Sequence, residues 1–367
     1  MTGTDIALYL PYLRGGGAER VMVNLANGFA RQRFNIDLVL ASAEGPYLEE
    51  VSSCVRVVDL KARRVLGSLP GLVRYLGKNR PRAMLSTMAH ANIVAVLAAR
   101  LSGAAPGVLA LREAVFLGVN SENSRELRGR LLPWLVRLFY PLADALVANA
   151  EGAAGELRRI LKSDTPVHVI PNPVDVRLIA RRAEERIDSP LLSQIDGPLV
   201  LGIGRLTAQK DFKTLVEAFA LLQERETGAS LVILGEGEQR PALERAAKAV
   251  GVADRVHLPG FVSNPYRFLK RASVFVLSSR WEGLPNALIE AIAMGTPVVS
   301  TDCPSGPAEI LENGKYGRLV PVGDAEALAA AMEATLESPP DPDLLRRRGQ
   351  DFSVERIVKR YLKVLLP

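Results

Sequence analysis

The sequence predicts an α/β protein with two doubly wound, Rossmann-like domains that face each other across a cleft. Its 367 residues exceed one ordinary core and suit two domains of about 150–180 residues. Short apolar runs alternate with helical patterns in both halves, which is typical of βαβ units and a parallel sheet. The alternation breaks around Pro171 and Pro173, which favour extended chain. We therefore expect domains at residues 1–180 and 181–350, and a final helix at 351–367 that packs back on the first domain.

The predicted elements follow in order along each half. The first domain begins with the strand DIALYLPYL and a glycine turn into the helix of GGGAERVMVNLANGFARQR. Its later strands are FNIDLVLAS, CVRVVDLK, AMLSTM, GVLALRE and ADALVANA. The second domain, after a polar linker at residues 180–197, has the strands PLVLGIGRL, ASLVILGEGE, RVHLPGF, ASVFVLSS, TPVVSTD and YGRLVPVG. Open sheets of this class bind ligands beyond the carboxyl ends of their strands, so the loops there are the candidates for a site.

The composition of the chain indicates in which cellular compartment the protein works and whether it binds a metal ion. Hydrophobic residues make up 48% of the chain and charged residues 23%, so a sizeable core is expected. The two cysteines, Cys54 and Cys303, and the three histidines show no metal-ligand spacing, which predicts no metal site. Neither a signal peptide nor an apolar run of about 18–20 residues is found. We expect a cytoplasmic protein, with peripheral attachment to the inner face of the cytoplasmic membrane left open.

Positive charge is concentrated in the first half of the chain. Residues 1–180 contain 22 Lys and Arg against 15 Asp and Glu, a net charge of +7, whereas residues 181–367 contain 24 against 25. Residues 51–137 alone contain 14 against 4, a net charge of +10. This asymmetry predicts an anionic partner on one side, either lipid, a phosphorylated substrate or nucleic acid. A solvated basic surface is the alternative.

Two glycine-containing loops have residue types that bind phosphate. The triple glycine of LRGGGAERVM includes Gly16 and Gly17 and opens a helix, whose N-terminus favours an anion. In GIGRLTAQKDF, Arg205 and Lys210 suit a diphosphate. A tight turn and a solvated loop are the respective alternatives. The dinucleotide fingerprint and the P-loop pattern are both absent.

A third candidate is the stretch SSRWEGLPNALIEAIAMGTPVV, which combines a loop with a helix start. Pro285 suits the first helical turn and Gly295 the helix end. The backbone amides of residues 283–286 would then form a second anion-binding nest. Glu282 and Glu290 are not spaced as a close carboxylate pair, but an extended ligand would meet one glutamate at each end. For this pair in isolation, the better explanation is that Glu282 is a helix cap and Glu290 a surface residue.

The order and separation of these loops resemble those of one enzyme family. The segments GRLTAQKDF, VILGEGE, LPGFV and SSRWEGLPNALIEAIAMGTPVVSTDCPSGPAEIL are similar to glycosyltransferase family 4, the glycosyl transferases group 1, whose members have the GT-B fold and retain the anomeric configuration. The resemblance is strong over residues 165–325 and looser over 1–160. Glu282 and Glu290 match the family's pattern of two glutamates with seven residues between them.

The resemblance implies a nucleotide-sugar donor, expected to be a UDP-sugar, and no cofactor. Arg205 and Lys210 would contact the diphosphate and replace a metal ion. Glu282 would hold the transferred sugar and Glu290 the ribose. The other donor-binding residues that the resemblance implies are Gly16, Gly17, Gly283, Leu284, Pro285 and Asn286.

One strand departs from the family pattern. Family members often carry a histidine at the end of a strand in the first domain, near the sugar, where this sequence reads LALREAV with Arg112 and Glu113. His90, in STMAHAN, is therefore a candidate for contacting the sugar or the acceptor, beside an equal structural alternative. The resemblance still allows retention without an enzymic nucleophile, because the leaving phosphate assists the incoming hydroxyl.

The acceptor side is suggested by residues 124–140, SRELRGRLLPWLVRLFY. This segment is basic at one end and apolar at the other, and it contains Trp134, as in a membrane-surface helix. A core helix with snorkelling arginines is the alternative. We expect docking on an anionic leaflet and a glycan or polyprenyl-diphosphate-linked acceptor in surface polysaccharide or glycoconjugate assembly. The basic residues concerned are Arg125, Arg128, Arg130 and Arg137.

Two other functions use this fold. A sugar-nucleotide epimerase would need a cluster of ionisable residues near the sugar, which the sequence does not show. A degenerate, non-catalytic nucleotide-sugar-binding protein is disfavoured because Arg205, Lys210, Glu282 and Glu290 are all intact. A nucleic-acid partner is not expected, because binding would need aromatic residues among the basic ones and only 5% of residues are aromatic.

Overall fold

A computed structural model describes the backbone of residues 3–113, 127–161, 163–185, 190–225 and 228–367. The chain forms two compact units. The first unit consists of Met1–Val174 together with Val354–Pro367, and the second consists of Asp175–Ser353. The second unit is therefore inserted into the first.

Each unit is built on a parallel sheet, as the strand and helix alternation predicts. The seven-stranded sheet of the first unit has the order β3-β2-β1-β4-β5-β6-β7, and the six-stranded sheet of the second has the order β10-β9-β8-β11-β12-β13. The strands of the first sheet are β1 Ile6–Leu10, β2 Ile36–Leu40, β3 Val55–Asp59, β4 Ala83–Thr87, β5 Val108–Glu113, β6 Ala145–Ala148 and β7 Val167–Val169. Those of the second are β8 Leu199–Ile203, β9 Ser230–Leu234, β10 Val256–Gly260, β11 Val274–Leu277, β12 Val298–Thr301 and β13 Arg318–Val320.

Helices connect the strands. Those before β8 are α1 Gly17–Arg31, α2 Leu69–Asn79, α3 Ala89–Leu101, α4 Leu127–Phe139, α5 Glu151–Leu161, α6 Val176–Ala183 and α7 Pro190–Gln194. Those after it are α8 Phe212–Gln223, α9 Arg240–Ala249, α10 Tyr266–Arg271, α11 Asn286–Met294, α12 Pro307–Ile310, α13 Ala325–Glu337, α14 Pro342–Gly349 and α15 Val354–Leu365.

Both faces of the first sheet are covered, as its continuous apolar strands require. On one face α1 and α15 complete a core that includes Phe29, Ile357 and Tyr361. On the other face lie α2, α3, α4 and α5. The two helices of the first face touch closely, since a Cβ added at Gly28 would lie 2.5 Å from Val354 Cγ1 and 2.6 Å from Val358 Cγ2.

Two elements differ from the sequence-based prediction. β7 lies where the sequence pattern shows only a break before Pro171, and it pairs with β6. The expected linker at residues 180–197 contains the end of α6 and the short helix α7. Both elements are too short for a hydrophobic periodicity to show.

The strand order positions the candidate loops. In the first sheet the order reverses between β1 and β4, and in the second between β8 and β11. Such a switch point is the place where connections leave in opposite directions and open a crevice for a ligand.

Candidate active site

The loops after β8 and β11 meet because these strands pair directly, with Phe275 opposite Leu201. Three hydrogen bonds join the loops beyond the strand ends. The Arg280 amide donates to the Gln209 carbonyl at 2.8 Å, and Gln209 Nε2 donates to the Trp281 carbonyl at 3.0 Å. Ser278 Oγ donates to the Lys210 carbonyl at 2.8 Å. The loops that carry Lys210 and Glu282 thus form one structure at the switch point.

The centre of this structure is an ion pair between Lys210 and Glu282. Lys210 Nζ lies 2.5 Å from Glu282 Oε1, and Ser279 Oγ donates to the same oxygen at 2.6 Å. Glu282 is 7% exposed, while the Lys210 side chain is 17% exposed. An ammonium has three N–H donors, and within the described residues Lys210 uses one of them. The pair therefore retains donors for an anionic ligand.

Glycines shape the support of Lys210. A Cβ at Gly204 would lie 3.0 Å from Lys210 Cε, so the aliphatic stem of the lysine lies against this glycine. Gly235, which follows β9, has φ +142°, and a Cβ there would lie 1.9 Å from the Gly204 carbonyl oxygen. Only glycine permits this approach of the two loops.

The other cations of these loops differ in their surroundings. Arg205 is exposed, and within the described part of the chain its guanidinium makes no hydrogen bond or ion pair. Arg280 Nε donates to Asp211 Oδ2 at 3.0 Å. Asp211 in turn accepts from Thr214 Oγ1 at 2.9 Å. Arg205 is thus the cation available to a ligand, whereas Arg280 holds the start of α8.

The helix after the β11 loop begins one residue later than the sequence predicts. Pro285 precedes α11 as its N-cap, and Asn286 is the first helical residue. Gly295 ends the helix at φ +78°, which confirms the predicted glycine stop. The Gly283 carbonyl accepts from Ser305 Oγ at 3.2 Å, and Leu284 is buried. This loop is therefore fixed from the side of the β12 connection.

Glu290 has a different environment from Glu282. It lies half-buried within α11, and the Tyr266 hydroxyl is 3.5 Å from its Oε1. Glu282 instead lies in the loop before the helix, bound to Lys210 and Ser279. The two glutamates thus have separate partners, as expected for residues that do not act as a carboxylate pair.

Sequence reasoning missed Ser279 and Cys303. Ser279 lies three positions before Glu282 in the same stretch. This short spacing was the sequence signal that could have indicated its hydrogen bond to the glutamate. Cys303 is buried, and burial together with the negative charge of Glu282 raises the pKa of its thiol to about 12. The Cys303 thiol near Glu282 is therefore neutral at ordinary pH.

In the first unit, the glycine loop is held by the protein's own carboxylate. Gly16 is the N-cap of α1, and Gly17 is its first residue. Glu19 Oε2 accepts from the Gly15 amide at 2.7 Å and from the Gly16 amide at 3.1 Å, and Glu19 is 4% exposed. Gly16, which the resemblance assigns to donor binding, thus has its amide bonded within the protein.

His90 reaches the same edge of the first sheet, because β1 pairs with β4. It lies exposed in the first turn of α3, and partial desolvation of the imidazole lowers its pKa. Neutral imidazole therefore predominates near neutral pH.

Arg112 and Glu113, at the end of β5, are buried and bonded to the protein. Arg112 Nη2 donates to Asn172 Oδ1 at 2.5 Å and its Nη1 to Thr87 Oγ1 at 3.1 Å. Glu113 Oε2 accepts from the Tyr140 hydroxyl at 2.6 Å. Both side chains therefore have structural partners where the resembled family has its histidine.

The predicted membrane segment is described in part. Arg125 lies outside the described residues, as do the side chains of Arg128 and Arg130. In the described part of α4, Val136 is buried in the core, while Trp134 and Leu138 are 60% and 49% exposed. The helix thus has one core-facing side and an exposed apolar side.

The described residues contain neither a metal-binding cluster nor a helix that could span a membrane. No group of three or more His, Cys, Asp and Glu side chains there is placed to hold a metal ion. No helix among these residues is long and apolar enough to cross a membrane.

Both halves of the chain match known families. Residues 183–352 match the family described as glycosyl transferases group 1, and residues 15–178 match the one described as glycosyltransferase family 4. The lipopolysaccharide core biosynthesis glycosyltransferase LpsE of Rhizobium meliloti strain 1021 is 29% identical over 96% of this chain and 96% of its own.

A second relative comes from Campylobacter jejuni, and its alignment with this chain covers almost the whole of both sequences. This N-acetylgalactosamine-N,N'-diacetylbacillosaminyl-diphospho-undecaprenol 4-alpha-N-acetylgalactosaminyltransferase is 26% identical over 98% of this chain and 99% of its own. Among solved structures, Anabaena HepE in complex with UDP-glucose superposes with a TM-score of 0.79 at 19% identity, covering 98% and 100% of the two chains. This likeness shows a shared fold.

Proposed function

We propose that this chain, which belongs to glycosyltransferase family 4 and has the GT-B fold, transfers a sugar from a UDP-sugar to a lipid-linked glycan with retention of configuration. Family membership establishes the class of activity, glycosyl transfer. The donor, the acceptor and the stereochemical course are the proposed parts. The observation that carries the proposed departure of a diphosphate is the Lys210–Glu282 pair at the switch point of the second sheet.

The pair suits the departure of a diphosphate from a sugar. As the bond from the sugar C1 to the phosphate oxygen breaks, negative charge develops on the diphosphate. Lys210 and the exposed Arg205 would stabilise this charge without a metal ion. Glu282, paired with Lys210, would accept hydrogen bonds from sugar hydroxyls. Charge stabilisation by such preorganised groups is generally a large contribution to catalysis.

Retention needs the acceptor to attack from the face that the diphosphate leaves. The new bond forms between the acceptor oxygen and C1 while the old bond breaks, and the acceptor proton passes to the departing phosphate oxygen. No side chain of this protein is then required as the nucleophile. This scheme agrees with a site in which the described carboxylates have fixed partners.

The choice of donor and acceptor is supported by the relatives. HepE was solved with UDP-glucose, and the Campylobacter relative bears the name of an enzyme that acts on a diphospho-undecaprenol glycan. LpsE belongs to lipopolysaccharide core biosynthesis. We therefore propose glycoconjugate assembly at the inner face of the cytoplasmic membrane.

The test is transfer from radiolabelled UDP-, GDP- and dTDP-sugars, supplied one at a time with bacterial membranes. We expect label from a UDP-sugar in the lipid extract, unaffected by EDTA. Lys210→Ala should lower the rate about 100-fold or more, because it removes a charge partner of the diphosphate. Lys213→Ala is the matched control, since this lysine is three residues away and its side chain is 69% exposed.

Other outcomes of this assay would contradict the proposal. Epimerised free donor would identify an epimerase, and tight donor binding without turnover a binding protein. Full activity in Lys210→Ala would refute the assignment of the site.

A further inference from the structure

The first unit has a basic groove that the proposed transfer does not use. The groove, of about 550 Å³, lies between β3 with its following residues and α2. Arg56 and Lys61 line it from the β3 side, and Arg74 and Lys78 line it from α2. The two α2 residues are four positions apart and so lie on one helix face.

The charge of this region is almost entirely positive. Residues 56–82 contain eight Lys and Arg and one acid, Asp59, a net charge of +7. Asp59 Oδ1 accepts from the backbone amides of Ala43 and Lys61. Two of the eight cations are paired, Arg56 with Asp37 and Arg82 with Asp5.

Six cations remain on this surface. Each is exposed, and in the described part of the chain none forms an ion pair. They are Lys61, Arg63, Arg64, Arg74, Lys78 and Arg80. Repulsion among so many like charges slightly destabilises the folded state unless an anionic partner neutralises them.

An apolar side chain projects from the same region. Leu66 is 68% exposed in the single helical turn Val65–Ser68, which connects the cations of residues 61–64 to α2. The aromatic residue of the groove, Tyr75, is 5% exposed, so it offers no stacking surface to a single-stranded nucleic acid. An apolar residue amid cations instead matches a lipid surface, where acyl chains lie beneath anionic headgroups.

The neighbouring helices continue this character. α2 packs against α3, and α3 packs against α4, on the same side of the first sheet. Leu101 at the end of α3 is 63% exposed, and Trp134 on α4 is 60% exposed. Large apolar side chains are thus exposed on three successive parts of one helical layer.

We propose that the groove and the adjoining turn, residues 56–80, form the docking surface of this protein for an anionic lipid leaflet. The cations bind headgroup phosphates, and Leu66 enters the acyl boundary. The inference rests on the proposed function in its choice of occupant, because a lipid-linked acceptor is met at a membrane.

The test compares binding of the whole protein to phosphatidylcholine vesicles with and without phosphatidylglycerol. The groove variant, Arg63→Gln/Arg64→Gln/Lys78→Gln, replaces three cations of the docking surface, of which Lys78 lines the groove and the two arginines precede the turn at Val65–Ser68. The control is Arg245→Gln/Lys248→Gln/Arg255→Gln, which removes the same charge from exposed residues of the second unit. Each Lys or Arg near an anionic surface contributes about a fivefold gain in partitioning, so the groove variant should bind about 100-fold more weakly.

The control variant should bind within about threefold of the wild type. Leu66→Ser should weaken binding to phosphatidylglycerol vesicles at both low and high salt, because the contact it removes is apolar and unscreened. Equal binding of the two triple variants, or no dependence on phosphatidylglycerol, would overturn the proposal. So would tighter binding of single-stranded RNA than of vesicles through the same residues, because the occupant would then be another polyanion.

Calorimetric titration with UDP separates this inference from the proposed function. The groove variant should bind UDP as the wild type does, since its substitutions lie outside the donor site. Loss of vesicle binding with unchanged UDP affinity supports the surface. Vesicle binding that is intact in this variant refutes the surface and leaves the glycosyl transfer assay unaffected.

Discussion

The environment of Glu282 extends its effect to a neighbouring thiol. Glu282 is bound by Lys210 and Ser279. The pKa of Cys303 is raised mainly by the burial of its thiol, and the negative charge of Glu282 raises it further. The buried thiol is therefore a neutral group beside a carboxylate. Cys54, in contrast, is exposed.

This difference predicts the thiol reactivity of the native protein. At about pH 8, Ellman's reagent should react quickly with one thiol per chain, Cys54, because the thiolate is the reactive form and Cys303 stays protonated. Cys54→Ser should then show no fast-reacting thiol until urea unfolds the chain. Two fast equivalents in the native wild type would contradict this account.

The same group links stability to pH. The thiol of the unfolded chain releases its proton near the ordinary cysteine pKa of 9.0, whereas the folded thiol keeps its proton until about pH 12. The folded state thus binds the proton more tightly, and the contribution of Cys303 to stability, present below pH 9, is lost as pH rises between these values.

Single residues also show where prediction from sequence ends. Arg205, Lys210, Glu282 and Glu290 are predicted site residues because their spacing along the chain resembles that of a known family. The contact of Lys210 with Glu282 joins residues 72 positions apart, and strand order creates it. The bond from the Gly16 amide to Glu19 has the spacing of a capping box, but the glycine N-cap lacks the Ser or Thr that usually marks this motif in a sequence.

At the scale of elements, the loop after β9 determines the position of the loop that carries Arg205 and Lys210. The Gly204 amide donates to the Leu234 carbonyl at 3.0 Å, and the Leu206 amide donates to the Glu236 carbonyl at 2.9 Å. Gly235 lies between these two bonds and touches the Gly204 carbonyl. The loop that carries Arg205 and Lys210 is therefore held against the loop that follows the neighbouring strand β9.

A substitution at Gly235 tests this support. Gly235→Ala should displace the β8 loop and lower UDP affinity at least tenfold, because its Cβ would overlap the Gly204 carbonyl. Gly228→Ala is the control, since Gly228 also has positive φ, +62°, but nothing lies within 4 Å of an added Cβ. It should cost about 1–2 kcal/mol in unfolding free energy and leave UDP affinity unchanged. Equal affinities of the two variants would show that the loop stands without this contact.

Element types could be predicted from sequence wherever a hydrophobic period ran over several turns or strand residues. The βα alternation of both halves, the helix after the triple glycine and the glycine stop at Gly295 are of this kind. β7 has three residues and α7 has five, fewer than a periodicity needs. The helix begins one position after Pro285, because the ψ of Pro285 is 109°, which is extended rather than helical.

At the scale of the molecule, the first unit is completed by the end of the chain. α15 contributes Val354, Ile357, Val358, Tyr361 and Leu365 to the core that also contains α1. The two backbone segments that flank the second unit are hydrogen-bonded to each other, since the Val354 amide donates to the Val174 carbonyl at 3.1 Å. The last helix is thus a core element of the first unit.

Loss of this packing should affect the first unit selectively. Ile357→Ala should lower its unfolding free energy by roughly 3 kcal/mol, because Ile357 is fully buried. Lys359→Ala, two residues away and exposed, should change it by less than about 0.5 kcal/mol. Hydrogen exchange should show faster opening of α1 and β1 in the first variant, with β8 and β9 unchanged. Equal loss of protection in both units would contradict the separation.

The position of α15 also bears on the order in which the protein matures during synthesis. A ribosome completes residues 175–353 before it makes residues 354–367, so the inserted unit has its whole sequence first. The amino-terminal unit lacks α15, which packs beside α1 on its sheet, until residues 354–367 have been translated. The usual progression from the first domain to the second is therefore reversed at completion. A nascent chain that stalls between residues 353 and 354 would contain the complete second unit and an incomplete first one.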